Sequence, residues 1–155
     1  MCLACILALV AGASLAPAAQ AQDLPFTMTA TDICLADKNK GSTAAGCIGT
    51  SAELCFAETS GSYAMAACFA YEHRQWDKRL NNVYGKLMAR EKTKGRAQTL
   101  RDMQRAWIKS RDARCDYDVI SEQWGGGTGT VPAINECNMQ MTGEQTLVLQ
   151  RMLQQ

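Results

Sequence analysis

From Ser62 to Val131 the chain contains no proline, and its apolar residues recur at helical spacing in two runs. The first run is Met65, Phe69, Trp76, Leu80, Val83 and Leu87, with Tyr84 and Met88 beside it. Apolar positions three and four apart place one stripe along one face of an α-helix. The spacing predicts a long helix over Ser62–Lys92. Gly85 weakens it by about 1 kcal/mol, which packing must offset. The second run is Leu100, Met103, Trp107, Arg111 and Cys115, and it predicts a helix over Arg96–Gln123. Between them lies Thr93-Lys94-Gly95, where Gly95 is expected to end the first helix in the left-handed conformation. A connection this short makes the two helices an antiparallel hairpin, with Trp76 and Trp107 in its core.

The flanks read differently. Trp124-Gly125-Gly126-Gly127-Thr128-Gly129-Thr130 is too rich in glycine to hold a helix and is expected to be a loop. Beyond Pro132, Thr142-x-x-Gln145 has the form of a capping box, and Leu147, Leu149, Met152 and Leu153 supply the apolar side of a short last helix. Residues 22–61 keep no period and are rich in Gly, Ser and Thr, so at most Ser51–Ala57 is expected to be helical. The fold class expected is all-α: an antiparallel hairpin of two long helices plus a short C-terminal helix, stapled by disulfides, with a loop-rich N-terminal extension. There are no internal repeats and no sign of a second globular domain.

Met1–Ala21 is apolar and ends in Ala19-Gln20-Ala21, the pattern of a signal peptide cut before Gln22. Gly12, Ser14 and Pro17 break the run, which argues against a spanning anchor. Leu3-Ala4-Cys5 precedes the apolar run, so it does not make a lipobox, and Cys2 and Cys5 leave with the leader. No Lys or Arg precedes the run, unlike an ordinary signal peptide, so the natural start is expected to lie upstream. Six cysteines then remain: Cys34, Cys47, Cys55, Cys68, Cys115 and Cys137. An even number in a small exported chain implies three disulfides, and spacing alone leaves the pairing open. Zinc sites favour close cysteine pairs with histidine nearby, whereas the closest pair here is Cys47 and Cys55 and the one histidine is His73.

With 16 basic and 15 acidic residues the formal charge is +1, which is no electrostatic footprint for nucleic acid. Catalytic and phosphate-binding motifs are absent, and His73 on a helix reads as a packing residue. Asp116-x-Asp118-x-x-x-Glu122 lacks the glycine and the third early ligand of a calcium loop. No metal, cofactor or enzymatic activity is expected. Glu72 and Arg111 each fall on an apolar stripe, so they are expected to meet across the hairpin and fix its register.

The end of the second helix breaks a local rule. Asp112, Asp116, Asp118 and Glu122 crowd a C-terminus that already carries partial negative charge, where each exposed acid costs about 0.3–1 kcal/mol. On the plain reading Arg111 and Arg114 neutralise part of this along the helix, and loops or caps satisfy the rest. The functional reading is a negative surface held by Cys115 for a basic protein partner. It would comprise Asp112, Asp116, Asp118 and Glu122, then Trp124 and Gly126 of the loop, and Glu136 beyond it.

The segment Cys55–Leu149 also resembles a known family. The residues that carry the likeness are Cys68-x-x-x-Glu72, Trp76-Asp77-x-x-Leu80-Asn81-x-x-Tyr84, Leu100, Gln104-x-x-Trp107-x-x-x-Arg111-Asp112-x-x-Cys115, and then Cys137, Thr142 and Leu149. In this pattern the chain is similar to the lysozyme inhibitor LprI-like proteins exported by bacteria. The resemblance implies a disulfide-bonded helical domain over 55–155, preceded by an extension over 22–54 and the leader over 1–21. It implies structural roles for Glu72, Trp76, Asn81, Tyr84, Trp107 and Arg111. It pairs Cys55 with Cys68 and Cys115 with Cys137, leaving Cys34 for Cys47. It implies a periplasmic or secreted protein that binds and blocks a lysozyme-like hydrolase without catalysis. The alternative is a structural or interaction module of the cell envelope with no effect on lysozyme. Two departures stand out: no lipobox is present, and Gln145 stands where the family often has Arg.

Overall fold

The computed structural model describes residues 26–37, 41–120 and 127–155. Among these every regular element is helical: α1 (Thr29–Ala36), a 3-10 segment (Gly41–Cys47), α2 (Thr50–Ala57), α3 (Ser62–Arg90), α4 (Lys94–Ile120) and α5 (Thr130–Gln154). The predicted leader, Met1–Ala21, lies outside the described residues.

The apolar stripe of α3 is buried as its spacing requires, with Ala66, Phe69, Trp76, Leu80, Val83 and Leu87 all inside. What covers it differs from the expectation. The helix that α3 packs against most extensively is α5, and α4 also lies against α5. The last helix is therefore not a short appendage from Thr142. It has 25 residues and is the shared partner of both long helices. One feature hid its first half. Pro132 sits in the first turn, where the first intrahelical N–H to be bonded is that of Ala133, so the missing donor does no harm. Further on, the buried face is made of Thr142, Gly143, Gln145 and Thr146, which no count of large apolar residues detects.

Gly143 shows how closely this face is approached. A Cβ placed there would lie 2.7–2.9 Å from three side-chain carbons of Ile48. Gly85, in contrast, has nothing within 4 Å. Gly85→Ala is therefore expected to stabilise the protein by about 1 kcal/mol. Gly143→Ala is expected to destabilise it by about 1–2 kcal/mol, overpacking outweighing the gain in helix propensity. Urea midpoints of the two variants should move in opposite directions.

The turn between α3 and α4 also departs from expectation. Gly95 does not end α3; it lies in the first turn of α4. The N-cap is Thr93, whose hydroxyl accepts the Arg96 N–H at 3.4 Å and whose carbonyl accepts the Ala97 N–H at 3.1 Å. An Arg96–Glu91 ion pair at 2.6 Å spans the turn. Arg90 donates to the carbonyls of Met152 and Leu153 and so caps the end of α5.

The core has two parts along α3. Leu80, Val83 and Leu87 join Leu100 of α4 and Leu149 of α5 at the turn end. Phe69 and Trp76 join Ile48, Ala52 and Cys55 of the N-terminal segment, with Met139 and Leu147 of α5. The loop-rich extension is thus a helical layer that roofs half of the α3–α5 pair. Each of its α-helices has eight residues, too short to show a period or to hold alone.

Candidate functional site

Three disulfides join Cys34–Cys47, Cys55–Cys68 and Cys115–Cys137, the pairing that the resemblance implies. The first ties α1 to the 3-10 segment and the second ties α2 to α3. The third ties the last turns of α4 to the early part of α5. Cys115 is itself buried, with its sulfur 3.9 Å from that of Met141.

Around this third staple the predicted acids are solvent-facing. Asp112, Asp116 and Glu136 are exposed. Asp112 is held by its neighbour, accepting from Nε and Nη2 of Arg111 at 2.9 and 2.7 Å. Tyr117, which the sequence reading passed over, is 74% exposed. Asp118 lies on α4, but its side chain is outside the described residues, as are Glu122, Trp124 and Gly126 altogether. The acid-rich end is thus fixed in place by a covalent link, and its acids at 112, 116 and 136 face water.

Glu72 does not meet Arg111. Its carboxylate is fully buried and points into the N-terminal layer. It accepts the N–H of Gly49 at 2.8 Å, of Ala52 at 2.7 Å, the indole N–H of Trp76 at 3.0 Å, and lies 3.2 Å from the Thr31 hydroxyl. Gly49 is the N-cap of α2 and Ala52 belongs to its first turn, so Glu72 caps α2 from a different helix. The first turn of α1 joins the same point. The Thr31 N–H donates to the Ser51 hydroxyl, and the Ser51 N–H donates back to the Thr31 hydroxyl. Two helix N-termini, each partially positive, therefore converge on one carboxylate. This is the role that the sequence reading assigned to a guanidinium.

Of the other residues expected to be structural, Trp76 is fully buried. Asn81 is exposed and donates to Asp77 at 3.0 Å, while Tyr84 and Trp107 are half-buried. Arg111 lies over the Trp107 ring, 5.1 Å from its centroid.

His73 sits beside this group with its Nε2 buried and without a hydrogen-bond partner among the described residues. Burial holds its imidazole below the ordinary value of 6.5, the positive charges of Arg111 and Arg74 lower it further, and Asp77 opposes them. The sign of the consequence follows from linkage. Well above pH 6.5 neither the folded nor the unfolded imidazole binds a proton. As the pH falls below 6.5 the unfolded chain takes up a proton that the folded chain resists, so stability declines toward the lower folded value. His73→Gln is expected to flatten this part of the decline, as read from urea midpoints between about pH 7.5 and about pH 5.

Residues 55–149 match the model of a protein family described as lysozyme inhibitor LprI. The chain belongs to that family. The match opens inside α2 and runs through α3 and α4 to Leu149 of α5, so it contains the Cys55–Cys68 and Cys115–Cys137 staples. No curated protein and no solved structure matches the chain. Three disulfides are the chemistry of an oxidising compartment, and no described helix of this LprI-family chain is long and apolar enough to cross a membrane.

Proposed function

We propose that this chain is an exported, non-catalytic protein of the periplasm or the exterior that binds and blocks a lysozyme-type peptidoglycan hydrolase. Its contact surface is the acidic end around Cys115–Cys137. One observation carries the reading: a disulfide pins two helices together at a point where Asp116, Tyr117 and Glu136 are exposed. An exposed tyrosine on a rigid base loses little entropy on binding, and tyrosines are enriched among residues that dominate interface energetics. Exposed acids around it speed and orient encounter with a basic partner. Trp124, Gly126 and the acids Asp118 and Glu122 extend this surface by sequence position. Lysozymes act with two carboxyl groups in a cleft, and an inhibitor needs only to obstruct that cleft.

The test is clearing of a cell-wall suspension by chicken-type, invertebrate-type and goose-type lysozymes in the presence of the oxidised protein. Saturable inhibition of one class is expected. Reversing charge at Asp112, Asp116 and Asp118 together should weaken inhibition by about tenfold, ~1.4 kcal/mol, and flatten its dependence on salt. The unfolding midpoint should move little, because exposed ion pairs such as Arg111–Asp112 contribute about 0–1 kcal/mol. Unchanged affinity would remove these acids from the interface. Absence of inhibition by folded, thiol-free protein would favour a structural or interaction module of the cell envelope, to be pursued by pull-down from envelope extracts.

A further inference from the structure

Because α3 and α4 both pack on α5, a groove of about 330 Å³ remains between them, lined by residues from Asp77 to Tyr84 on one side and from Arg101 to Arg111 on the other. Its volume falls in the range of small-molecule sites, roughly 300–1,000 Å³. Leu80 of the core backs it, and Tyr84 and Trp107 pack against that core from its walls. Much of the pattern by which the sequence resembles its family lies along it, including Asn81, Tyr84, Gln104 and Trp107.

The chemistry of the walls is specific. Gln104 is 8% exposed, and its amide oxygen accepts from the Gln145 amide at 3.1 Å. Its own amide nitrogen has no partner among the described residues, and reversing both amides would leave an oxygen in the same position. That nitrogen opens to solvent at the groove and is free to donate to a ligand. Among the described residues the Trp107 indole N–H and the Tyr84 hydroxyl likewise meet no protein partner, and both rings are half-buried. Asp77 is the one carboxylate on the lining beside Arg101, Arg105 and Arg111. Arg111 is already paired with Asp112 and Arg101 donates to the neutral Gln98, so Arg101 and Arg105 carry the charge open to a ligand. Arg105 reaches its nearest acid, Asp102, only at 3.7 Å.

We propose that this groove binds a carboxylate-bearing saccharide of one or two rings. The excess of guanidinium groups selects an anion. The indole and phenol offer apolar surface for the faces of a sugar ring together with donors for its oxygens. Asp77, with its amide partner Asn81, supplies an acceptor for sugar hydroxyls, which a bare phosphate does not need. The site adjoins the inhibitor surface at Arg111–Asp112, but its test contains no hydrolase, so the two readings fail independently.

The experiment is a ¹⁵N chemical-shift titration of the oxidised protein with N-acetylmuramic acid, N-acetylglucosamine and inorganic phosphate. N-acetylmuramic acid should saturably shift the Trp107 indole and Gln104 amide signals. N-acetylglucosamine should bind about tenfold more weakly. Arg101→Gln with Arg105→Gln should erase that difference, and Arg105 is exposed enough for the fold to persist. No shift with either sugar would overturn the proposal. So would equal binding of the two sugars that the arginine variant leaves unchanged, or displacement by phosphate at equal concentration, which would make the groove an anion site only.

Discussion

Glu72→Gln is expected to lower the stability of the oxidised protein by about 3 kcal/mol, a thermal midpoint shift of roughly 10 °C. The carboxylate accepts from two backbone N–H groups and an indole in a site with no water access. An amide of the same shape keeps one oxygen and turns a donor toward one of those donors. Each buried group left unsatisfied costs about 1–3 kcal/mol, and the N-termini of α1 and α2 lose the charge on which they converge. Glu144→Gln, on the exposed face of α5, is the control and should stay within about 0.5 kcal/mol of the parent. Arg111→Met separates the observed network from the pair expected on sequence grounds. A Glu72–Arg111 bridge would make both single variants severe. The observed geometry makes only the glutamate variant severe, since Arg111 bonds to exposed Asp112. Equal losses in the two would refute the capping role. In hydrogen exchange, the Glu72→Gln variant should lose protection first at Gly49, Ser51 and Ala52.

That network shows where the sequence is silent. The stripe on α3 is legible because large apolar side chains at helical spacing have one way to leave water. The burial of Glu72 is legible too, because it interrupts that stripe in register. Its partner is not, because the backbone N–H groups of a helix start have no letter of their own, and these lie about twenty residues away in a short helix. Small-residue packing is equally hidden: Gly143 reads as a weak point in a helix until Ile48 is seen against it. The same blindness affects the groove. Trp107 reads as hairpin core, with Tyr84 beside the first apolar stripe and Asn81 as a structural residue of the family pattern. Once α5 occupies the centre, the edges of those stripes face each other across open space. The acids of α4 stood out because they break a rule about helix ends; the fold offers Asp112 the Arg111 guanidinium and leaves Asp116 exposed.

Full reduction of the three disulfides should be the most damaging single treatment, and its effects should be ordered along the chain. Chain entropy assigns about 3 kcal/mol to closing a loop of the length set by sequence separations of 13, 13 and 22. Together that is about 9 kcal/mol, comparable with the whole stability of a typical domain, about 5–15 kcal/mol. The N-terminal layer should detach first, because α1 and α2 are held by Cys34–Cys47, Cys55–Cys68 and the Glu72 network. The turn end of the bundle should outlast it, because Leu80, Leu87, Leu100 and Leu149 bury one another without a disulfide. Hydrogen exchange during titration with reductant should therefore show protection lost over 29–57 before 80–100. The paired serine variants distinguish fold from function. Cys55→Ser with Cys68→Ser should lower the midpoint and leave inhibition by the folded fraction intact. Cys115→Ser with Cys137→Ser frees the end of α4, so it should weaken inhibition by more than its stability loss accounts for. If the second pair lost stability and kept full inhibitory potency, the staple would serve the fold alone and the binding surface would have to lie elsewhere on the bundle.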